Sequence, residues 1–200
     1  MDTTLTLEQI ETAITGYPDS PYYIRQNIVV PNVDWGFLNH EADLLILTKA
    51  KRLVEIEIKR SWSDFMADFK KSHTHNDPKL SRFYYAVPIK IAERVFHWLY
   101  EGTFKCRPSW IYYEHSEVTG YTEHNPNHCG LIIYASPDET NSRHNFAVAN
   151  LNIPAKEMGT YKVTVEEELK LLRLLGLRVW NLKKKLAELQ NNNTNATKEL

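Results

Sequence analysis

The stretch HEADLLILTKAKRLVEIEIK, residues 40–59, decides the fold of this chain. It holds two short apolar runs, 44–47 and 53–58, and each is typical of a buried β-strand. Only residues 48–52 remain to connect them. A connection this short predicts that the two strands form an antiparallel hairpin.

The hairpin predicts that polar side chains meet at its open end. Because side chains alternate between the two faces of a strand, Glu57 and Lys59 point to the same face. If Leu47 lies opposite Leu53, Asp43 lies directly opposite Glu57, with Cβ atoms roughly 4.5–5.5 Å apart. The sequence therefore predicts two carboxylates and one amine at one place.

This combination suits metal-dependent cleavage of a phosphodiester bond. Two carboxylates this close repel each other unless a cation lies between them, and a hard ion with oxygen ligands, such as Mg²⁺, fits there. Lys59 would hold or activate a water, or neutralise charge on the phosphate. The alternative is a solvated strand face, where Glu-x-Lys is common. Asp43 favours the functional interpretation, because it opens an otherwise apolar strand.

A first helix is predicted before the hairpin. Residues 6–9 form a capping box that begins it, and Gly16 ends it. Glu11 falls inside the apolar stripe of this helix. That position indicates either a salt bridge at the domain edge or a carboxylate directed at the metal site.

A second helix is predicted to begin at Ser61, directly after the hairpin. His73 lies at the end of its apolar stripe, as a boundary histidine or as part of the site, whereas Asp68 falls on another face. Lys70 and Lys71 suit the C-terminal end of the helix dipole and are candidates for contact with phosphates.

The rest of the chain supplies further strands and helices. Additional strands are predicted at 22–31, 82–88, 107–113, 130–134 and 145–151, and additional helices at 91–100 and 165–190. The strand at 82–88 follows a helix, so we expect it to lie parallel to the strand at 53–58.

Composition predicts one globular domain over residues 1–190 of this 200-residue chain. The formal net charge is −1, so basic residues act locally rather than globally. The N-terminus has no signal-peptide pattern, no apolar run is long enough to span a membrane, and the 2 cysteines do not make a disulfide framework. These features predict a cytoplasmic protein.

Residues 114–128 are polar and rich in histidine, which predicts a surface insertion. A zinc site is a weaker alternative, because the ligand spacings match no standard pair of knuckles. The candidate zinc ligands are Cys106, His115, His124, His128 and Cys129.

The helix at 165–190 carries leucine and valine at alternating three- and four-residue spacing. This seam predicts either packing on the protein's own sheet or contact with a second copy in a homodimer. Residues 191–200 are polar and low in complexity, so we expect a disordered tail.

Three segments together resemble the PD-(D/E)XK nuclease superfamily, and within it the MmcB-like DNA-repair nucleases. They are EIEIKRS at 55–61, DFMADFKK at 64–71 and RFYYAVP at 82–88. The resemblance covers residues 8–90. It implies an α/β fold with a restriction-endonuclease-like core, in which helices flank a central mixed sheet. It also implies hydrolysis of DNA with Mg²⁺, or Mn²⁺ as a substitute, in repair, restriction or mobile-element maintenance.

The resemblance also implies roles for particular residues. Asp43 and Glu57 would be metal ligands, together with the backbone carbonyl of Ile58; Lys59 would assist the water, and Glu11 would be the helix acid that some members use. The positions that we expect to contact DNA are Arg60, Lys70, Lys71 and His73.

One residue departs from the family pattern: Ala42 stands where a proline commonly precedes the first aspartate. The same fold also serves non-catalytic proteins, so a silent nucleic-acid-binding or structural subunit is the alternative function. A zinc-dependent interaction protein built on the histidine-rich insertion is a third.

Overall fold

The computed structural model describes residues 5–33, 36–71, 75–106, 115–140 and 146–196. The chain forms two compact units, one up to Val163 and one from Thr164 onward. The strands are β1 Ile28–Val33, β2 Ala42–Leu47, β3 Leu53–Ile58, β4 Leu80–Pro88, β5 Tyr100–Thr103, β6 Glu117–Tyr121, β7 Gly130–Ala135 and β8 Val148–Ile153. The helices are α1 Leu7–Thr15, α2 Trp62–Asp68, α3 Ile89–Leu99 and α4 Val165–Ala196, with a short 3-10 helix at Pro137–Glu139.

The predicted hairpin is confirmed in both pairing and register. Strands β2 and β3 are antiparallel, and Leu47 pairs with Leu53. The turn is closed by the Thr48 N–H, which donates to the Arg52 carbonyl at 3.0 Å. Continuing the same register by one step beyond the Leu44–Ile56 pair places Asp43 opposite Glu57.

The hairpin belongs to a mixed six-stranded sheet with strand order β1-β2-β3-β4-β7-β8. Strand β4 pairs parallel to β3, as predicted for a strand that follows a crossover helix. Strand β7 is parallel to β4, whereas β1 and β8 pair antiparallel with their neighbours. The expected α/β architecture, a central mixed sheet with flanking helices and a long C-terminal helix, is confirmed.

Both faces of the sheet are covered, which explains why every residue of β3 is buried. On one face, Ile10 and Ile14 of α1 pack with Ile56 of β3. On the other face, Phe65 of α2 packs with side chains of α3, β4 and β7. Burying one such side chain contributes roughly 1.5–3 kcal/mol. The even positions of β3 therefore face α1, and Glu55 and Glu57 face the side of α2.

Some predicted boundaries are corrected by the structure. Strand β1 begins at Ile28 rather than at residue 22, because residues 22–27 form turns. The predicted insertion at 114–128 contains β6, which pairs with β5 as a separate two-stranded sheet. Strand β8 lies at Val148–Ile153, later than predicted. The strand predicted at 107–113 falls outside the described residues.

The second unit consists of α4, which sequence analysis assigned to the same domain as the sheet. The helix continues to Ala196, so the tail predicted to be disordered from residue 191 is helical as far as that residue. Within the described part of the chain, no helix combines the length and the apolar character needed to cross a membrane.

Candidate functional site

The open end of the hairpin brings together three residues that the sequence singled out. The Lys59 ammonium lies 2.7 Å from Glu57 Oε1, as the shared strand face predicts. Asp43 Oδ2 accepts a hydrogen bond from the Ile58 N–H at 2.8 Å, which fixes the carboxylate at the start of β2. The Lys59 N–H donates to the Ala86 carbonyl of β4, so the sheet also holds the backbone of the lysine.

Asp43 is a carboxylate whose pKa the site raises. Burial raises the pKa of Asp43, the negative charge of Glu57 raises it further, and the Ile58 N–H lowers it. The result is a pKa of about 6. Like charges that face each other in a half-buried site have this effect until a cation compensates them.

Asp68 at the end of α2 is a site residue that the sequence analysis missed. The helical wheel places it off the apolar stripe, yet its carboxylate is buried and accepts from Lys59 at 2.9 Å and from the Tyr85 hydroxyl at 2.9 Å. Burial lowers the pKa of Lys59, but Glu57 and Asp68 more than offset this, so the ammonium is stabilised. Lys59 is therefore held between two carboxylates.

A chain of buried hydrogen bonds runs from Asp68 to His40. His75 Nε2 lies 2.8 Å from Asp68 Oδ2, and its Nδ1 lies 2.6 Å from Glu55 Oε1. Glu55 also accepts from His40 Nε2 at 2.9 Å. Glu55 and His40 are both 0% exposed, so this end of the hydrogen-bond network is shielded from water.

Opposite charges in this hydrogen-bond network stabilise one another. Burial alone would lower the pKa of His75, but the hydrogen bonds and charges of Asp68 and Glu55 raise it to about 9. Burial would raise the pKa of Glu55, and the two histidines more than reverse that effect. An imidazolium between two carboxylates is the consistent assignment, and it satisfies buried groups that would otherwise be costly.

The sequence analysis did not assign Glu55, His40 or His75 to the site. Of these three residues, only Glu55 has a signal in the sequence. Glu55 shares its strand face with Glu57 by alternation, and β3 is apolar enough to be buried. His40 and His75 come from segments outside the helices and strands, and only the tertiary fold brings them to Glu55.

The predicted basic residues divide into different surroundings. Lys71 Nζ lies 2.7 Å from Asp68 and 3.7 Å from Glu57, at the exposed side of the site. Lys70 is exposed and follows the end of α2. Arg60 is exposed, and its guanidinium donates to the Leu5 carbonyl at 3.1 Å. His73 lies outside the described residues.

The membership of the predicted helix acid, Glu11, in the site stays a prediction. Its helix, α1, packs on the opposite face, through Ile10 and Ile14. The Ile58 side chain also points to that opposite face, so this residue takes part in the site only through its backbone.

Two groups of side chains have the spacing to hold a metal ion within the described ranges. They are His40–Glu55–His75 and Glu57–Asp68–His75. None of the five predicted zinc ligands belongs to either group. The Cys129 thiol is buried near Tyr100, while His124 stacks on Trp98 and His128 packs on Tyr121.

Comparisons with known proteins add a likeness of fold. No protein-family model matches the chain, and no curated protein matches it. The fold is similar to a solved structure of a protein of unknown function from Silicibacter pomeroyi, with 14% identity, a TM-score of 0.49 and coverage of 93% of each chain.

Proposed function

We propose that this protein is a metal-dependent nuclease that hydrolyses phosphodiester bonds of DNA. The observation that carries the proposal is the meeting of Asp43, Glu57 and Lys59, with the Lys59 ammonium 2.7 Å from Glu57 and Asp43 opposite Glu57 in register. The resemblance to nuclease segments supports the same function, in a cytoplasmic protein of DNA repair, restriction or mobile-element maintenance.

The donor atoms fit a hard divalent cation. Two carboxylates supply oxygen, and burial together with the charge of Glu57 raises the pKa of Asp43 to about 6, an effect that a bound divalent cation would reverse. Asp43, Glu57 and the Ile58 carbonyl would hold Mg²⁺ or Mn²⁺. When bound, the ion would polarise the scissile phosphate and lower the pKa of a water.

The side chains of the protein have separate tasks. Asp68 and Glu57 fix the Lys59 ammonium from two sides, so that it stays charged beside the position of the phosphate. The His75 Nε2 atom lies 2.8 Å from Asp68 Oδ2, and this hydrogen bond fixes the Asp68 carboxylate. Lys71 lies on the open side, where an ammonium would neutralise an incoming phosphate.

Purified protein incubated with plasmid, linear, nicked, branched and single-stranded DNA tests this function. We expect cleavage with Mg²⁺ or Mn²⁺ and none with EDTA. Asp43→Asn, Glu57→Gln and Lys59→Met should each reduce the rate by about 100-fold or more. Glu41→Gln is the matched control, because Glu41 is an exposed acid two positions before Asp43.

Calorimetric titration with Mg²⁺, combined with the cleavage assay, distinguishes a nuclease from a catalytically silent subunit. Metal binding and DNA binding without cleavage of any substrate would favour a nucleic-acid-binding subunit on the same fold. Cleavage that survives in all three site variants would contradict the proposed site, because it would come from elsewhere or from a contaminant. Asp43→Asn carries the test if Lys59→Met fails to fold.

A further inference from the structure

A cavity of about 140 Å³ opens beside the candidate site. Its walls come from the end of α2, from β4 and from the segment before β7, all within the first unit. Asp68, Lys71 and His75 line it, so the cavity shares three residues with the network around Lys59. A molecule bound there would therefore touch the same charged groups as a phosphate at the site.

The size and walls of the cavity suit one aromatic ring. An apolar protein cavity of about 150 Å³ holds a benzene molecule, so a single six-membered ring fits this space and a purine exceeds it. Phe69, Phe83 and Tyr85 supply aromatic walls. Phe69 is 38% exposed, which leaves part of its ring open to a stacking partner.

A buried hydrogen-bond donor in the cavity wall lacks an acceptor. Asn125 lines the cavity and is 2% exposed. Its Oδ1 accepts from the Cys129 N–H at 2.8 Å, which fixes the orientation of the amide. Its Nδ2 donates to no group in the part of the chain that the structure describes. The Nδ2 atom is itself closed to water, so a ring carbonyl reaches it only where the bound base displaces the atoms that cover it. An unsatisfied buried donor is costly, and this cost favours that exchange.

We propose that this cavity binds an unpaired pyrimidine base of the DNA strand whose phosphate lies at the candidate site, an inference that rests on the proposed nuclease function. Thymine and cytosine both present one ring and a ring carbonyl, whereas adenine has two rings and no carbonyl. The Lys71 ammonium, 41% exposed beside the cavity, is placed to meet the phosphate of the same nucleotide. A base paired within a duplex cannot enter, so the preferred substrate is single-stranded or locally unpaired.

Binding in EDTA tests the cavity without cleavage. Fluorescence anisotropy would compare oligodeoxynucleotides of about 12 nucleotides that carry thymine, cytosine, adenine or no base. All four have the same phosphates, so their differences report recognition of the base. We expect thymine and cytosine strands to bind about tenfold more tightly than the abasic strand, with adenine close to abasic.

Two variants address the two contacts separately. Phe69→Ala removes the exposed ring, and Asn125→Asp keeps the oxygen that Cys129 needs but replaces the donor with an acceptor. Each should bring the pyrimidine-to-abasic affinity ratio close to one. Ile24→Ala, which truncates an exposed apolar residue outside the cavity, should leave the ratio unchanged. Phe69→Ala keeps the test decisive if Asn125→Asp fails to fold.

The outcomes separate this inference from the proposed function. Equal affinity for adenine and pyrimidine strands, or a pyrimidine preference that survives Phe69→Ala, would overturn the cavity assignment even if the protein cleaves DNA. A pyrimidine preference that is lost in both variants would support the cavity assignment even if no substrate is cleaved. In that case the proposed hydrolysis would be wrong, and recognition of the base would remain supported.

Discussion

At the scale of single residues, the site holds more charge than its fold needs. Asp43 and Glu57 lie opposite each other at the end of a buried hairpin, where burial and like charge raise the pKa of Asp43 to about 6. The ammonium groups of Lys59 and Lys71 do not offset this effect at Asp43, so the arrangement is unfavourable for folding in the absence of a metal ion. Functional sites commonly retain groups of this kind, because activity needs them more than stability does.

Replacing Asp43 should therefore stabilise the metal-free protein. Asp43→Asn keeps an oxygen that accepts from the Ile58 N–H and removes the charge that Glu57 opposes. In EDTA at neutral pH we expect a gain of about 1–2 kcal/mol in the free energy of unfolding. Saturating Mg²⁺ should stabilise the wild type by about 2–3 kcal/mol and the variant by much less.

Thermal and urea unfolding would measure both effects, with Glu41→Gln as the control for loss of a nearby exposed acid. That control should match the wild type with and without the ion. A variant that gains no stability in EDTA, or that responds to Mg²⁺ as the wild type does, would contradict the assignment of Asp43 as a ligand.

His75 predicts a second effect, on the pH dependence of stability. Its folded pKa of about 9 lies above the ordinary value of 6.5, because the hydrogen bonds and charges of Asp68 and Glu55 outweigh its burial. The stabilisation by the imidazolium is therefore complete below about pH 6.5 and is lost as the pH rises through about 9. Its upper limit is about 3 kcal/mol.

Urea unfolding of the wild type and His75→Gln in EDTA would test this dependence. The difference in stability should be large at about pH 6 and smaller at about pH 9.5. His97→Gln, which changes an exposed histidine on α3, should show no comparable trend. A His75→Gln deficit that stays constant or grows with pH would show that His75 is not charged between its carboxylates.

At the scale of elements, the sequence predicts contacts between neighbouring segments but not contacts that depend on the tertiary fold. The β2–β3 pairing and the Asp43–Glu57 register follow from strand alternation and a short turn. An apolar stripe shows that α1 packs on a sheet but does not show which face, so the placement of Glu11 cannot be derived. Asp68 illustrates the same limit, because Lys59 follows β3, Tyr85 belongs to β4 and His75 lies between α2 and β4, so no single-helix pattern contains these partners.

The hairpin turn carries its own prediction. Lys51 has φ of 60°, a left-handed conformation that costs a non-glycine residue about 1–2 kcal/mol. Lys51→Gly should therefore raise the free energy of unfolding by about 0.5–1 kcal/mol, net of the entropy that glycine adds to the unfolded chain. Lys49→Gly in the same turn is the matched control and should destabilise, since its φ is negative. Chemical denaturation that ranks the two variants the other way would contradict this account of the turn.

At the scale of the whole molecule, α4 presents an apolar seam that predicts a second copy of the chain as its partner. Leu182, Leu186 and Leu189 are 66%, 57% and 61% exposed, and exposed apolar stripes of this kind mark interaction surfaces. Sedimentation velocity should therefore detect a dimer, and Leu182→Glu should shift it to monomer because a carboxylate would be buried in the seam. Lys184→Gln changes the net charge by the same amount at a position two residues away from the seam leucine, and it should leave the dimer intact. A wild-type protein that sediments as a monomer at all accessible concentrations would rule out this partner, and Leu182→Glu would then have no effect on mass.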